Sequence, residues 1–422
     1  MSVSLGCIAD DFTGATDLAN NLVRAGMRVV QVIGVPEAGA PAPPDADAVV
    51  VALKSRTAPV ERAVSESLAA ASWLRAQGAR QLYFKVCSTF DSTSQGNIGP
   101  VAEALAALTG ASIVPVTPAF PENGRTVFMG HLFVGEQLLS DSPMRQHPLT
   151  PMTDASLVRV LQAQLRRGRA GLVARRHVAA GAEAVTAQLA SLRAEGVTMA
   201  VVDAVDDADL HVLAEAAQAL PLVVAGSGLA IGLPRWHVAM PCQHAAALPP
   251  AQGASAVVAG SCSAATQAQV AHFVAAGGEA FAIDPLLALA GRDLVTEALS
   301  WAGPRLSRRP VLVYATAPAE SVRAVQARLG ADAAGALVED ILARVARGLV
   351  ARGVARLVVA GGETSGACVQ ALGVTQLRIG PQIEPGVPWC HAVLGSDGLH
   401  LALKSGNFGG VDFFSRAFQT LT

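Results

Sequence analysis

The chain has 422 residues, a length that suits two or three domains, each able to bury a full core. Hydrophobic residues make up 51% and charged residues 15% at a formal net charge of −2, which excludes a disordered or fibrous chain and leaves no basic stripe for nucleic acid. Mean hydropathy is positive, yet the longest apolar candidate, residues 220–233, is broken by Pro221, Gly226, Ser227, Gly228 and Gly232 and falls short of the roughly 18–20 residues of a spanning helix.

From the N-terminus, apolar runs at 3–9, 28–33, 48–53, 81–86, 112–116, 197–203 and 222–225 read as strands. They are continuous rather than alternating, as expected of strands buried on both faces of a parallel sheet. Helical patterns separate them. One spans 60–76; another spans 153–166, where Thr153 or Asp154 is the expected cap and Leu157, Val160, Leu161 and Leu165 form one apolar stripe. Arg166, Arg167, Arg169, Arg175 and Arg176 read as a solvated helix end and loop.

Residues 240–254 (MPCQHAAALPPAQGA) carry three prolines, a glycine and no periodicity, and read as a linker. Strand patterns restart at 256–260, 280–283, 311–314, 357–360, 377–380 and 391–394, with helices between most of them. The expected fold class is therefore α/β: two Rossmann-like parallel-sheet domains with an interdomain cleft suited to a small molecule. Their bounds are 1–240 and 255–422, with 241–254 as the linker. The N-terminus lacks a charged segment followed by an apolar one, so a cytoplasmic enzyme is expected, and one this apolar suits a homodimer. Six cysteines stand far apart without a CxxC, which disfavours disulfides and zinc.

Three turns of the C-terminal half share one design. The run 256–260 enters Ser261-Cys262-Ser263 ahead of a helix at 264–275; the run 357–360 enters Gly361-Gly362-Glu363-Thr364 ahead of a helical segment at 368–372; and Lys404-Ser405-Gly406-Asn407-Phe408-Gly409-Gly410 lies near the C-terminus. A strand that stops at small residues and restarts as a helix aims unpaired N–H groups and the positive helix end at one point, which suits a phosphate. In a parallel sheet such loops line one edge. None matches GxxxxGK[ST] or GxGxxG, so neither a P-loop nor a standard dinucleotide site is expected. Glu363 is read either as a contact of the nucleotide or its magnesium, or as a solvent-facing residue of the helix start.

The N-terminal half carries different chemistry. The first strand ends in Asp10-Asp11, adjacent carboxylates that repel and call for a metal, a lysine or substrate hydroxyls as compensation. Arg56 follows the strand at 48–53. Lys85 sits inside an apolar strand, where an unpartnered charge costs several kcal/mol. Asp91 follows it, and Arg125 lies beyond a Pro-Glu-Asn-Gly turn. Arginine suits a carboxylate through paired hydrogen bonds. The set presents cations for an acid and carboxylates for hydroxyls.

The segments IADDFTGATDLA (8–19), KVCSTFDST (85–93), PAFPENGRTV (118–127), GSCS (260–263), GGETSGA (361–367) and KSGNFGG (404–410) resemble, in order and over essentially the whole chain, the motifs of the four-carbon acid sugar kinases. GNIGPV (96–101) and HPLTPMTD (147–154) are most similar to the 3-oxo-tetronate kinase branch. The resemblance implies that 1–240 is a substrate domain, that 255–422 is a nucleotide domain, and that the reaction is ATP-dependent phosphorylation of the C4 hydroxyl of 3-oxo-tetronate. It implies ATP contacts at Ser261, Gly361, Gly362, Glu363, Thr364 and Gly406, and substrate near Asp10, Asp11, Arg56, Lys85, Asp91 and Arg125. D-threonate or erythronate is the alternative acceptor. An NAD-linked sugar-acid oxidoreductase is the alternative class, though Asp10-Asp11 stands where its glycine fingerprint would be, and a sugar-acid receptor is a third.

Phosphoryl transfer asks for positioning, charge neutralisation and an oriented hydroxyl. Arg56 or Arg125 is the expected grip on the substrate carboxylate, and Asp11, ahead of Asp10 and Asp91, the expected acceptor of the hydroxyl proton. Lys85 is expected to hold a carboxylate or to neutralise the transferring group. Magnesium bridging the phosphates, with ligands unassigned, and domain closure that excludes water complete the expectation.

Overall fold

The structure is a computed structural model and describes residues 3–37, 39–147, 150–394 and 397–421. Pro148 and Leu149 of the HPLTPMTD segment lie outside the described residues. The chain divides into two compact units, Met1–Ala246 and Ala247–Thr422. Residues 238–253, most of the proline-rich stretch, hold neither helix nor strand beyond the last residue of a short helix at His237.

The first unit contains β1 (Leu5–Ala9), β2 (Val29–Ile33), β3 (Ala48–Ala52), β4 (Gln81–Lys85), β5 (Val114–Thr117), β6 (Arg125–Phe128), β7 (His131–Val134), β8 (Gln137–Leu138), β9 (Ala170–Val173), β10 (Met199–Val202) and β11 (Leu222–Ala225). The sheet order is β2-β3-β1-β4-β11-β5-β10-β9, and every pairing in it is parallel. Helices cover both faces, so Leu5, Ile8, Val49, Val51, Val223 and Val224 are completely buried, which is why their strands read as unbroken apolar runs. The register Ala9↔Lys85 and Ala9↔Ala52 brings Asp10, Lys85 and the Arg56 loop to one edge. The chain leaves β1 toward β2 on one side and reaches β4 on the other, so that edge is a topological switch point.

Two features of this unit depart from expectation. The strands β6, β7 and β8 form a separate antiparallel sheet. The helix expected over 153–166 runs only Leu157–Gln164, because the Leu132 N–H donates to the Ala155 carbonyl at 3.0 Å and the Leu157 N–H to the Gly130 carbonyl at 2.9 Å. Ser156 thus bridges His131 of β7, and Asp154 caps no helix; it accepts from the Ser156 N–H at 2.9 Å and pairs with Arg159 at 2.7 Å.

The second unit contains β12 (Ala254–Ala259), β13 (Glu279–Ala282), β14 (Val311–Tyr314), β15 (Val354–Ala360), β16 (Gln376–Glu384), β17 (Val387–Leu394) and β18 (Asp397–Lys404). Their order is β13-β14-β12-β15-β18-β17-β16. The pairings from β13 through β18 are parallel, whereas β16, β17 and β18 form an antiparallel meander, since connections this short cannot carry a crossover. The chain passes from β12 to β13 and β14 on one side and to β15 on the other, and the switch point falls between β12 and β15. The helix expected at 368–372 begins earlier and spans Gly362–Ala371, with Gly361 (φ 127°) at its cap. Among the described residues, no helix is long and apolar enough to cross a membrane.

Candidate functional site

In the first unit Asp10 and Asp11 leave the carboxyl end of β1 in different roles. Asp11 caps the helix Phe12–Arg24, accepting from the Gly14 N–H at 3.1 Å and from Thr13 Oγ1 at 2.9 Å. The Asp10 main chain carbonyl accepts the Ser55 and Arg56 N–H groups, each at 3.1 Å, and so fixes the loop after β3. Asn97 Nδ2 fastens the same loop through the carbonyls of Ser55 (2.7 Å), Arg56 (3.2 Å) and Ala58 (2.8 Å). The Arg56 guanidinium then grips Asp10 through Nε–Oδ2 (3.0 Å) and Nη2–Oδ1 (2.8 Å), reaches Asp11 Oδ1 at 2.7 Å and approaches Asp91 Oδ2 at 3.7 Å.

The compensation that the paired aspartates call for is therefore an arginine. The expected grip of Arg56 on a substrate carboxylate finds Nε and Nη2 committed to the protein's own carboxylates. Lys85, at the end of β4, is only 3% exposed and lends its positive field to Asp10, Asp11 and Asp17. A Cβ on Gly14 would stand 2.1 Å from Asp11 Oδ1 and 2.5 Å from Lys85 Nζ, so a larger residue there would displace both side chains. Arg125 opens β6 and donates to the Asn123 carbonyl, and its buried Nε has no partner among the described residues. Among those residues, no hydrogen bond or ion pair joins Arg125 to the Arg56 cluster.

These contacts separate the two acids. Burial raises Asp10, and Arg56 offsets only part of the rise. Burial also acts against the charge of Asp11, but Arg56 and Lys85, helped by Thr13 and Gly14, outweigh it and hold the carboxyl below its ordinary value. Asp11 is the more accessible of the pair, with its side chain 24% exposed against 6% for Asp10. Asp17, two helical turns on, was part of a motif but not a predicted site residue. Its Oδ2 accepts from Ser227, its Oδ1 has no partner among the described residues, and burial pushes it up to about 6.

In the second unit the three small-residue turns converge. Gly260 N–H and Ser261 N–H donate to the Ala360 carbonyl at 2.9 and 3.2 Å, and Gly361 N–H donates to the Lys404 carbonyl at 2.8 Å, which locks the ends of β12, β15 and β18 together. Ser263 caps the helix Ala264–Ala275, and its Oγ donates to the Gly406 carbonyl at 2.6 Å; Thr266 Oγ1 reaches the same carbonyl at 2.9 Å. A Cβ at Gly361 would lie 3.1 Å from the Ser261 nitrogen, and one at Gly406 would lie 2.4 Å from Ser261 Oγ. Ser261, Gly361 and Gly406 thus form one surface. Thr364 is buried, and Glu363 is exposed in the first turn of its helix.

Beside that surface lies a cavity of about 710 Å³ whose walls include Ser261, Ile283, Leu286, Tyr314, Val338 and the 361–364 turn. The size and the apolar walls suit a nucleotide base and ribose, with the turns left for phosphate. Among the described residues, no group of three His, Cys, Asp or Glu side chains is arranged to hold a metal. Magnesium that arrives on a nucleotide needs only one or two carboxylates, and Glu339 and Glu363 on the cavity wall fit that need.

Lys404 and Thr266 were missed as site residues. Lys404 is wholly buried and donates to Thr266 Oγ1 (3.2 Å) and to the carbonyls of Ser405 (2.9 Å), Gly406 (3.0 Å) and Phe408 (3.0 Å). Burial pushes it down to about 7. The signal that singled out Lys85, a lysine closing an apolar strand, was present at Lys404 too.

Residues 5–233 match the family model of the sugar-binding N-terminal domain, and residues 256–414 match that of the nucleotide-binding C-terminal domain. The chain belongs to the four-carbon acid sugar kinase family. It is 58% identical over 421 residues to a 3-oxo-tetronate kinase of Burkholderia multivorans, covering 99% of this chain and 97% of the relative. It is 57% identical to one of Pseudomonas fluorescens, at the same coverage. Among solved structures, a Salmonella typhimurium protein described as a tRNA synthase superposes with a TM-score of 0.89 at 42% identity, covering 100% of both chains. A Haemophilus influenzae protein gives 0.80 at 44% identity, covering 99% of this chain and 100% of its own. The fold is the α/β fold expected, and this family member is a phosphotransferase with an alcohol group as acceptor.

Proposed function

We propose that the protein transfers the γ-phosphoryl group of ATP to the C4 hydroxyl of 3-oxo-tetronate, giving 3-oxo-tetronate 4-phosphate. The observation that carries the nucleotide half is the convergence of Ser261, Gly361 and Gly406 at the carboxyl ends of three strands beside an apolar cavity. The acceptor follows from the full-length relatives named for that substrate.

The first-turn N–H groups of Gly362, Glu363 and Thr364, with the Ser261 hydroxyl beside them, bind the phosphates, and Gly406 lets the chain approach them closely. Glu363 or Glu339 would hold magnesium, which supplies neutralisation of phosphate charge. In the first unit, Arg56 fixes Asp10 and Asp11 in place, and Arg125, whose Nε has no partner among the described residues, takes the substrate carboxylate. Asp11 receives the C4 hydroxyl proton. Its lowered pKa suits a loose transition state, in which the proton leaves late and a weak base suffices. Lys85 neutralises charge that builds on the group in transfer.

A coupled ADP-release assay with magnesium-ATP across four-carbon acids tests this. Release with 3-oxo-tetronate well above that with D-threonate or erythronate is the expected result. A preference for either of those acids would overturn the acceptor, and no release with any of them, despite stabilisation by ATP, would overturn the substrate class.

A further inference from the structure

A buried lysine ordinarily faces a carboxylate, because moving its charge out of water costs several kcal/mol without an opposite charge. Lys404 has none. Its Nζ is ringed by neutral oxygens: the carbonyls of Ser405, Gly406 and Phe408 and the hydroxyl of Thr266, all between 2.9 and 3.2 Å. Convergent backbone carbonyls and a hydroxyl around one cation are what a protein offers a bound monovalent ion. Here the cation is covalently tethered to the end of β18.

The oxygens it gathers are not random. The Gly406 carbonyl also accepts from Ser263 Oγ and Thr266 Oγ1, and the residue after Lys404 opens the glycine-rich loop. At the far end of that loop, Gln269 Nε2 donates to the carbonyls of Phe408, Gly409 and Gly410 at 2.9 to 3.1 Å. With these carbonyls drawn inward to Lys404 and Gln269, the 404–410 loop is held with Gly406 against Ser261, where an added Cβ would lie 2.4 Å from Ser261 Oγ. An anion bound there would also supply the negative charge that the protein withholds from Lys404.

We propose that Lys404 is a positioning residue that acts as a tethered monovalent cation, holding the 404–410 loop in the form that receives the phosphates of the nucleotide. This rests on the reading of Ser261, Gly361 and Gly406 as the phosphate site. It predicts that the lost cation can be returned from solution.

The experiment is Lys404→Ala, assayed for KM of magnesium-ATP and kcat with potassium, ammonium or propylammonium chloride, and with tetramethylammonium chloride at equal ionic strength. The expected result is a KM raised about tenfold or more with kcat little changed, lowered again by one of the small cations but not by tetramethylammonium, while the wild type responds to none. An unchanged KM, or a raised KM that no cation lowers in a variant that melts like the wild type, would overturn the proposal. If the variant does not fold, Thr266→Val removes one of the four oxygens and keeps the lysine. It should raise the KM for ATP about threefold, and an unchanged value would equally overturn the idea. A wild-type protein that ATP does not stabilise would sink the phosphate-site reading itself, an outcome distinct from wild-type binding with an indifferent variant.

Discussion

Arg56 holds Asp10 by two parallel hydrogen bonds, Nε–Oδ2 at 3.0 Å and Nη2–Oδ1 at 2.8 Å, and Asp10 is 5% exposed. The pair is the anchor that lets two successive aspartates end a strand. Removing one partner leaves the other as an uncompensated buried charge. Arg56→Ala should therefore lower unfolding free energy by about 3 kcal/mol or more, and Arg56→Lys should restore only part of it, because a single ammonium cannot reproduce the fork. Urea unfolding of the three proteins measures this; an Arg56→Ala protein as stable as the wild type would refute the anchor.

Asp11 offers a cleaner separation of chemistry from folding. Asparagine caps a helix about as well as aspartate, so Asp11→Asn should keep the Gly14 cap and fold, losing only the ion pair that Asp11 Oδ1 makes with Arg56 at 2.7 Å. If Asp11 takes the hydroxyl proton, kcat should fall by about 10²-fold or more. Near-normal kcat in the folded variant would dismiss Asp11 and turn attention to Asp10 and Asp91.

Gly361 sits at φ 127°, ψ 134°, a region that side chains other than glycine rarely enter, and its Cβ would press on the Ser261 nitrogen at 3.1 Å and on Thr364 Oγ1 at 2.8 Å. Gly361→Ala should cost on the order of 1–3 kcal/mol of stability and raise the KM for ATP, with the substrate-side KM little changed. Steady-state kinetics with each substrate varied in turn reads the split; equal changes in both would argue for general disruption.

Asp17 gives a pH signature. Its folded pKa, about 6, lies above the ordinary 3.8, so between those values the folded state holds the proton more tightly than the unfolded chain. Its contribution is fully present below about pH 4 and is lost as pH rises through about 6. Carboxylates held low, such as Asp11, slope the other way, so the informative quantity is the difference between proteins. Relative to the wild type, Asp17→Asn should gain about 3 kcal/mol between pH 4 and pH 7. A stability difference that stays flat over that range, measured by denaturant titration, would show that Asp17 titrates normally.

Much of this was legible in the amino-acid order, for local reasons. Strands buried on both faces must be unbroken apolar runs, so β1, β3, β4, β11 and β14 were visible within a residue or two. The helices Val60–Ala76 and Ala264–Ala275 were equally plain from periodicity. The small-residue turns at Ser261, Gly361 and Gly406, and the acids at Asp10 and Asp11, announced themselves because strand-end chemistry depends on neighbours in sequence.

Tertiary structure decided what depends on partners remote in sequence. That Arg56 compensates Asp10 and Asp11, 45 or more residues away, follows from the register of β1 against β3. That Ser156 bridges His131 of β7 instead of lying within a helix follows from the bonds of Ala155 and Leu157 to that strand and its turn. Lys404 shows the limit most plainly. Its sequence context marks a lysine at a strand end, but whether such a charge meets a carboxylate, solvent or a ring of carbonyls is set by the folded loop and by Thr266, 138 residues earlier. A charge's environment is a property of three-dimensional proximity, and the order of residues alone does not specify it.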